Sequence, residues 1–408
     1  MTPATPSSTT RLISLTTIAL ALSLFPGIVS AQDTEAPPAG VFLGPVNLTP
    51  RVGWNGTYDD NVYRSSHDPI SDIVSTFSAD SDFRTQMRRI GLSGTASFEW
   101  VHFTNIVRER GANLGSSVKL DFMLNKIAPY ATAAYENTQE RVNPEIDTRP
   151  RSERSNLTLG SIFRFSDRSS LDLAITRSEL KYDNSDFSEG VNLAVALNRV
   201  SDNYAAIFRQ ALTPLTHLTL GGEMQKEHFD TTAYRNGDEK RIWTGFQSDG
   251  FIKGHARAGV RMQTPYDPSI PEFRGLFVSA ETSVTLADRF QIRATAGTDS
   301  EPSYRQGIAY YDVTSYGGSL GYALRPSIRI QAGAGMYSAD YREGMAGTLP
   351  SAQQFGVERE SRYDSTLSLG IGQAMSIDLS GAYTKRTADV SEHRFEGMTF
   401  KVGVSHAF

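Results

Sequence analysis

Thr399-Phe400-Lys401-Val402-Gly403-Val404-Ser405-His406-Ala407-Phe408 closes the chain with strict alternation. Phe400, Val402, Val404, His406 and Phe408 share one side; Thr399, Lys401, Gly403, Ser405 and Ala407 share the other. A period of two is that of a β-strand, and the two faces are unlike. Working back toward the N-terminus, the same grammar recurs in segments of about ten to fourteen residues. The first, 46–58, sets Val46, Leu48, Val52, Trp54 and Tyr58 against Asn47, Thr49, Arg51, Asn55 and Thr57. Apolar faces such as Leu276, Val278, Ala280, Val284 and Leu286, then Phe290, Ile292, Ala294 and Ala296, are too continuous for a solvated surface.

Between 46 and 408 the pattern predicts about eighteen strands, an even number, as a single-chain bacterial barrel has. The connections alternate in length. Tight turns are expected at 88–89, 126–129, 167–169, 213–216, 253–254, 287–289, 325–327 and 374–376. Longer ends are expected at 60–71, 104–113, 141–154, 183–190, 230–240, 265–273 and 343–361, with 141–154 and 343–361 long enough to reach the barrel axis. Short turns on one side and long loops on the other give periplasmic and extracellular ends. The fold class that follows is all-β: a transmembrane, up-and-down antiparallel β-barrel in a bacterial outer membrane, apolar side toward lipid. A secreted propeller or β-solenoid would also supply many strands, yet no blade motif or fixed period occurs. Aromatics near strand ends, with Phe163, Phe165, Phe290, Tyr322 and Phe408 at the short-turn side and Tyr58, Trp100, Tyr135, Tyr182 and Tyr383 at the other, fit two interfacial girdles. The terminal Phe408 after an alternating strand has the form of the signal read by barrel assembly machinery, the expected partner in the membrane alongside lipid.

Composition agrees. Hydrophobic residues make up 39% and mean hydropathy is -0.33, values that conceal a barrel because lipid and lumen faces average along each strand. The one long apolar run follows Arg11, and Val29, Ser30 and Ala31 present small residues to a signal peptidase. Residues 1–31 therefore read as a signal peptide cut between Ala31 and Gln32, 32–45 as a short periplasmic lead-in, and 46–408 as the barrel. The 408 residues contain no cysteine, which excludes lipoprotein processing and a disulfide framework. Forty basic and 45 acidic residues are interspersed, with no basic block to suggest nucleic acid.

The inward face carries Arg51, Glu99, Lys119, Asp121, Arg164, Glu223, Arg257, Arg261, Glu281, Arg293, Arg329, Asp378, Arg386 and Lys401 among small polar residues. Both signs occur, so no strong ion selectivity follows, and charges in a lumen this wide stay hydrated. Arg257, Glu281 and Arg293, on three consecutive strands, suggest a cross-strand ladder, and Phe277 and Tyr337 suggest stacking surfaces for sugar rings. No H-E-x-x-H, G-x-S-x-G or P-loop is present, and His255 has no second histidine at ligand spacing, so neither metal nor cofactor is expected.

One segment is more specific. Pro50-Arg51-Val52-Gly53, then Tyr58-Asp59-Asp60-Asn61-Val62-Tyr63 and Ser71-Asp72-Ile73-Val74, resembles the opening of the putative β-barrel porin 2 family, with the likeness running from about Leu48 to Phe408 as strand rhythm. That resemblance implies a setting among exopolysaccharide, capsule and exosortase systems, and polysaccharide secretion or surface attachment. Tyr58, Asp59, Asp60 and Asn61 carry over as a marker only. Physically, Asp60 and Asn61 suit a turn capped by side-chain to backbone bonds, and Tyr58 an interfacial anchor. The expected function is a hydrophilic passage for an exopolysaccharide or capsular chain, with polysaccharide export machinery as partner. The alternatives are a general diffusion porin, and an outer-membrane enzyme or surface scaffold built on the long loops.

Overall fold

A computed structural model describes residues 40–341 and 356–408. The expected signal peptide with its Ala31/Gln32 junction, residues 32–39 of the lead-in, and 343–355 of the last long loop lie outside the described residues.

Alternating sequence becomes alternating exposure. Eighteen antiparallel strands follow one another around a ring: β1 (Val46–Asp59), β2 (Asp72–Met87), β3 (Ile90–Phe103), β4 (Gly111–Phe122), β5 (Ile127–Gln139), β6 (Arg151–Arg164), β7 (Ser169–Tyr182), β8 (Arg199–Thr213), β9 (Thr216–Phe229), β10 (Gly237–Asp249), β11 (Ile252–Pro265), β12 (Phe273–Leu286), β13 (Phe290–Pro302), β14 (Tyr310–Arg325), β15 (Ile328–Tyr341), β16 (Val357–Ile371), β17 (Met375–Thr387) and β18 (Phe395–Ala407). The ring closes where β1 pairs with β18, from Arg51 opposite Ala407 to Asp59 opposite Thr399. Closure leaves the ring without an open edge, which a bilayer demands because it offers no water to unpaired backbone groups.

Even-numbered positions of β12 to β14 show why the sheet belongs in lipid. Leu276 and Leu320 are each 63% exposed, beside outward Val260, Phe290, Ile292 and Tyr316. On a water-facing surface a belt of this extent would drive aggregation; in hydrocarbon it costs nothing. Phe290 and Tyr322 stack across β13 and β14 near the short turns, ring centroids 4.6 Å apart. Tyr58, Trp100 and Tyr135 face outward toward the opposite end, whereas Tyr182, expected in that girdle, turns inward and is buried.

The turns between hairpins are two to four residues, and Ala287 and Asp288 take left-handed φ of 49° and 53° to reverse the chain at 287–289. The opposite connections run from seven to sixteen residues. Several boundaries differ from expectation. Residues 253–254 belong to β11, since the turn falls at 250–251; Lys253 pairs with Asp249 and Gly254 with Ser248. Arg151–Arg154 and residues 357–361, expected in loops, are ladder residues of β6 and β16. In the lead-in, Val41–Leu43 folds back on β1 as a short antiparallel strand.

Candidate functional site

All fourteen charged residues expected inward lie on the strand face opposite the apolar belt, in the same parity as their half-buried neighbours. They divide into two groups by environment. Toward the short-turn end and midway, the charges pair locally on an open wall: Arg51 bonds Asp80 at 2.7 Å and Asp82 at 2.9 Å, Lys119 meets Asp121 at 2.9 Å, and Asp378 accepts from Ser368 at 2.5 Å. Arg164 donates to the Leu124 carbonyl, and Asn113 to Glu99 at 3.4 Å. Glu281 is exposed, and Glu223, Arg293, Arg329 and Lys401 are partly so. The expected three-strand ladder is out of register: Arg257 faces Ser279, while Glu281 faces His255 and Thr295.

Arg257 instead lies 4.6 Å over the Trp243 ring. Trp243 is 1% exposed and seated with Ile207 and Phe277 on the inner wall. The indole is admitted because its cross-strand partners are Gly221 and Gly259. A Cβ at 221 would come within 2.1 Å of that ring. Gly221→Val is therefore expected to cost about 1–3 kcal/mol by overpacking, read as a lower urea midpoint for unfolding from lipid vesicles. Phe277 and Tyr337, expected as stacking surfaces, do face inward but are covered, Tyr337 at 2% exposure among Tyr311, Val313 and Tyr341.

Toward the long-loop end the wall meets inward-folded loops, and here Arg261 and Arg386 are buried. Arg261 Nη2 bonds Asp312 at 2.8 Å. The β5–β6 loop, residues 140–150, reaches across the mouth. Arg386 on β17 donates to the Pro144 carbonyl at 2.6 Å and pairs with Asp147. Ser303, beyond β13, donates to Glu145 at 2.5 Å, and Arg141 donates to the Val62 carbonyl at 2.8 Å. In a ring of eighteen, β13 stands eight strands from β5, almost opposite.

The β7–β8 loop adds a second cover. Phe187–Ser188 and Val191–Asn192 form a tiny hairpin, and Leu193–Leu197 a single helical turn capped by Asn192 Oδ1 on the Val195 N–H at 3.0 Å. Its Leu193 and Leu197 join Ile146, Leu180, Tyr182, Phe229 and Tyr304 in one buried apolar cluster. Over this sits a charged knot: Arg305 meets Glu358 at 3.0 Å, and His393 bonds Glu358 at 2.7 Å through Nδ1 and Glu189 at 3.0 Å through Nε2. Arg64 and Glu360, both buried, pair at 2.9 Å.

Protons hold this knot. Burial opposes a charged imidazole at His393, but its bonds to Glu189 and Glu358 outweigh burial and the nearby Arg305, raising the pKa to about 9. Burial also lifts Glu145 to about 7, against Arg305, Ser303 and the Tyr304 N–H, with Glu358 adding to the rise. Both groups bind protons more tightly seated than free and favour seating below their raised pKa. At Glu189 burial is outweighed by the His393 bond, so its pKa falls below the usual carboxylate range and its part is lost in acid. Glu145's part is lost as pH rises through about 7 and His393's as pH rises through about 9. The loops are expected to loosen in mild alkali, measured as labelling of a cysteine placed at Ile146 that rises with pH more steeply than that of a free thiol.

Arg–carboxylate pairs of this kind dock the loops to the wall. His255 Nε2 lies 3.1 Å from Ser279 Oγ. His255 is the fourth residue of β11 and Ser279 lies in the middle of β12, both as ladder residues. Among the described residues no group of three or more His, Asp or Glu side chains is arranged to hold a metal ion.

The marker residues have a defined place. The Asn61 N–H bonds Asp59 at 2.9 Å, Asn61 Nδ2 donates to the Ser65 and Glu396 carbonyls, and Asp60 Oδ1 accepts from the Met398 N–H at 2.7 Å. They continue the β1–β18 seam past its last ladder pair. A family model described as putative beta-barrel porin 2 matches residues 36–408. The chain belongs to that family. Among solved structures this porin-family barrel is similar to a BenF-like porin from Pseudomonas fluorescens Pf-5, at 10% identity over 90% of this chain and 100% of that one, TM-score 0.52. It is also similar to OccAB3 of Acinetobacter baumannii, at 9% identity over 90% of this chain and 100% of that one, TM-score 0.50. At such identities the likeness is one of fold. No curated protein matches the sequence.

For this family member the Asp60–Asn61 staple predicts a measurable seam. Asn61→Ala strands the Ser65 N–H and frees two carbonyls, and is expected to cost about 1–3 kcal/mol. A lower temperature for loss of heat-modifiable gel migration would report it.

Proposed function

We propose that this barrel is a passage for small hydrophilic solutes across the outer membrane, with its bore set by the loops folded into the extracellular mouth. The observation that carries this reading is the pair of buried ties, Arg386 to the 140–150 loop and Ser303 to Glu145, which hold one loop against β17 and against the segment just beyond β13. Below them the wall is lined with hydrated charges of both signs, suited to water and small polar molecules without strong preference between ions. Export of an exopolysaccharide or capsular chain is the second reading. It draws on the small hydroxyl and amide groups between those charges, and it needs the same loops to withdraw, in partnership with polysaccharide export machinery. Delivery through the 1–31 signal and recognition of Phe408 by the assembly machinery belong to the same proposal.

Swelling of proteoliposomes in sugars of graded size separates the readings. Entry of mono- and disaccharides with a sharp cut-off above them supports the small-solute passage. Exclusion of all sugars, together with loss of secreted polysaccharide in a deletion strain, would replace it with the polymer reading.

A further inference from the structure

The segment between β7 and β8 starts on one side of the ring and ends its reach on the other. Its hairpin tip, Glu189-Gly190, has φ of 48° and 80°, the left-handed pair that a tight hairpin of this kind requires. Glycine takes that conformation freely; glutamate there is strained, and strain of this sort persists where surrounding contacts hold it. Glu189 Oε1 meets His393 Nε2 at 3.0 Å, and His393 is itself anchored by Nδ1 to Glu358 on β16 at 2.7 Å. Strand β16 lies roughly half-way round the ring from β7 and β8, so the hairpin crosses the mouth and is fastened on the far wall. The groups facing His393 are Glu189 from the hairpin, Glu358 from β16 and Arg305 from the β13–β14 loop. Behind the tip, Leu193 and Leu197 rest on Tyr182, Phe229 and Ile146. This is an apolar hinge side with a polar, half-exposed fastening side, the Glu189 side chain being 48% exposed.

We propose that residues 183–198 form a lid over the extracellular mouth, and that His393 is its catch. Released from His393, the hairpin at 187–192 swings about the helical turn, which Thr232 and Arg235 hold through the Ala196 carbonyl, and opens the lumen. The inference rests on the passage reading for its purpose but not for its geometry. His393→Ala and Glu189→Ala are each expected to raise single-channel conductance at least two-fold in planar bilayers. In a Glu223→Cys background, where the chain has no other cysteine, each is also expected to speed labelling of that lumen position by a membrane-impermeant maleimide added from outside. Heat-modifiable migration reports whether each variant has folded, and Glu189→Ala, at an exposed turn, serves should His393→Ala fail to. Folded variants with wild-type conductance and wild-type labelling would overturn the lid. Faster labelling with no conductance in any variant would keep the lid and remove the passage.

Discussion

Excising residues 141–149, with two glycines joining Glu140 to Pro150, is expected to raise single-channel conductance severalfold. The ladder between β5 and β6 ends at Gln139 opposite Arg151, so the shortened hairpin keeps its register. What disappears is the material tied into the mouth: the Pro144 carbonyl and Asp147 on Arg386, Glu145 on Ser303, and Arg141 on Val62. Removing one member of a dry ion pair usually costs about 3–5 kcal/mol, but here water enters with the loop's departure and rehydrates Arg386. The loss left over is that of Ile146, fully buried in the loop cluster, at about 2–5 kcal/mol shared with its neighbours. The barrel should therefore still fold and melt somewhat earlier. Conductance equal to wild type in a folded variant would show that the loop does not set the bore.

Leu320→Arg is expected to lower stability by up to about 2–4 kcal/mol, the range for a cation placed on the lipid face of a barrel. Leu320 is 63% exposed and lies between Ile292 and Ala332 on the outward face, with Tyr316 and Tyr322 on either side along β14. Its control is Thr295→Arg on the inward face, directly opposite Glu281, where the guanidinium meets water and a carboxylate. Urea unfolding from vesicles should show a lower midpoint for the first and little change for the second. Equal losses at both positions would mean that both faces meet the same medium.

The sequence carries the strands clearly because each is written in its own residues. Val402, Val404 and Phe400 announce their face without reference to anything distant, and all eighteen strands fall close to the alternating segments. The seam is partly legible too, since Asn61 is a turn former bonded to nearby Asp59 and Ser65, whereas its bond to Glu396 and that of Asp60 to Met398 span 335 and 338 positions. The mouth is not. Arg386 and Pro144 are 242 positions apart, and alternation says only that Arg386 points inward, not that a loop covers it. Tyr182 was misplaced for the same reason: an aromatic at a strand end reads as an interfacial anchor until Leu193 and Ile146 are seen against it. The helical turn at Leu193–Leu197 is a short apolar run of five residues, indistinguishable by period from a strand. A charged knot assembled from β16 and three separate loops, as Glu358, His393, Arg305 and Glu189 are, has no local signature at all.

The central claim is that alternate residues of each strand meet lipid and an enclosed aqueous lumen. Because the chain has no native cysteine, single cysteines at each position from 276 to 286 along β12 test it directly. Reconstituted in vesicles, cysteines at 276, 278, 280, 282, 284 and 286 should resist a water-soluble maleimide, and fluorophores attached there in advance should be quenched by nitroxide-bearing lipid. Those at 277, 279, 281, 283 and 285 should escape the lipid quencher. Uniform quenching along the strand, or uniform labelling with the protein folded and monodisperse in buffer without detergent, would contradict the barrel and the passage with it.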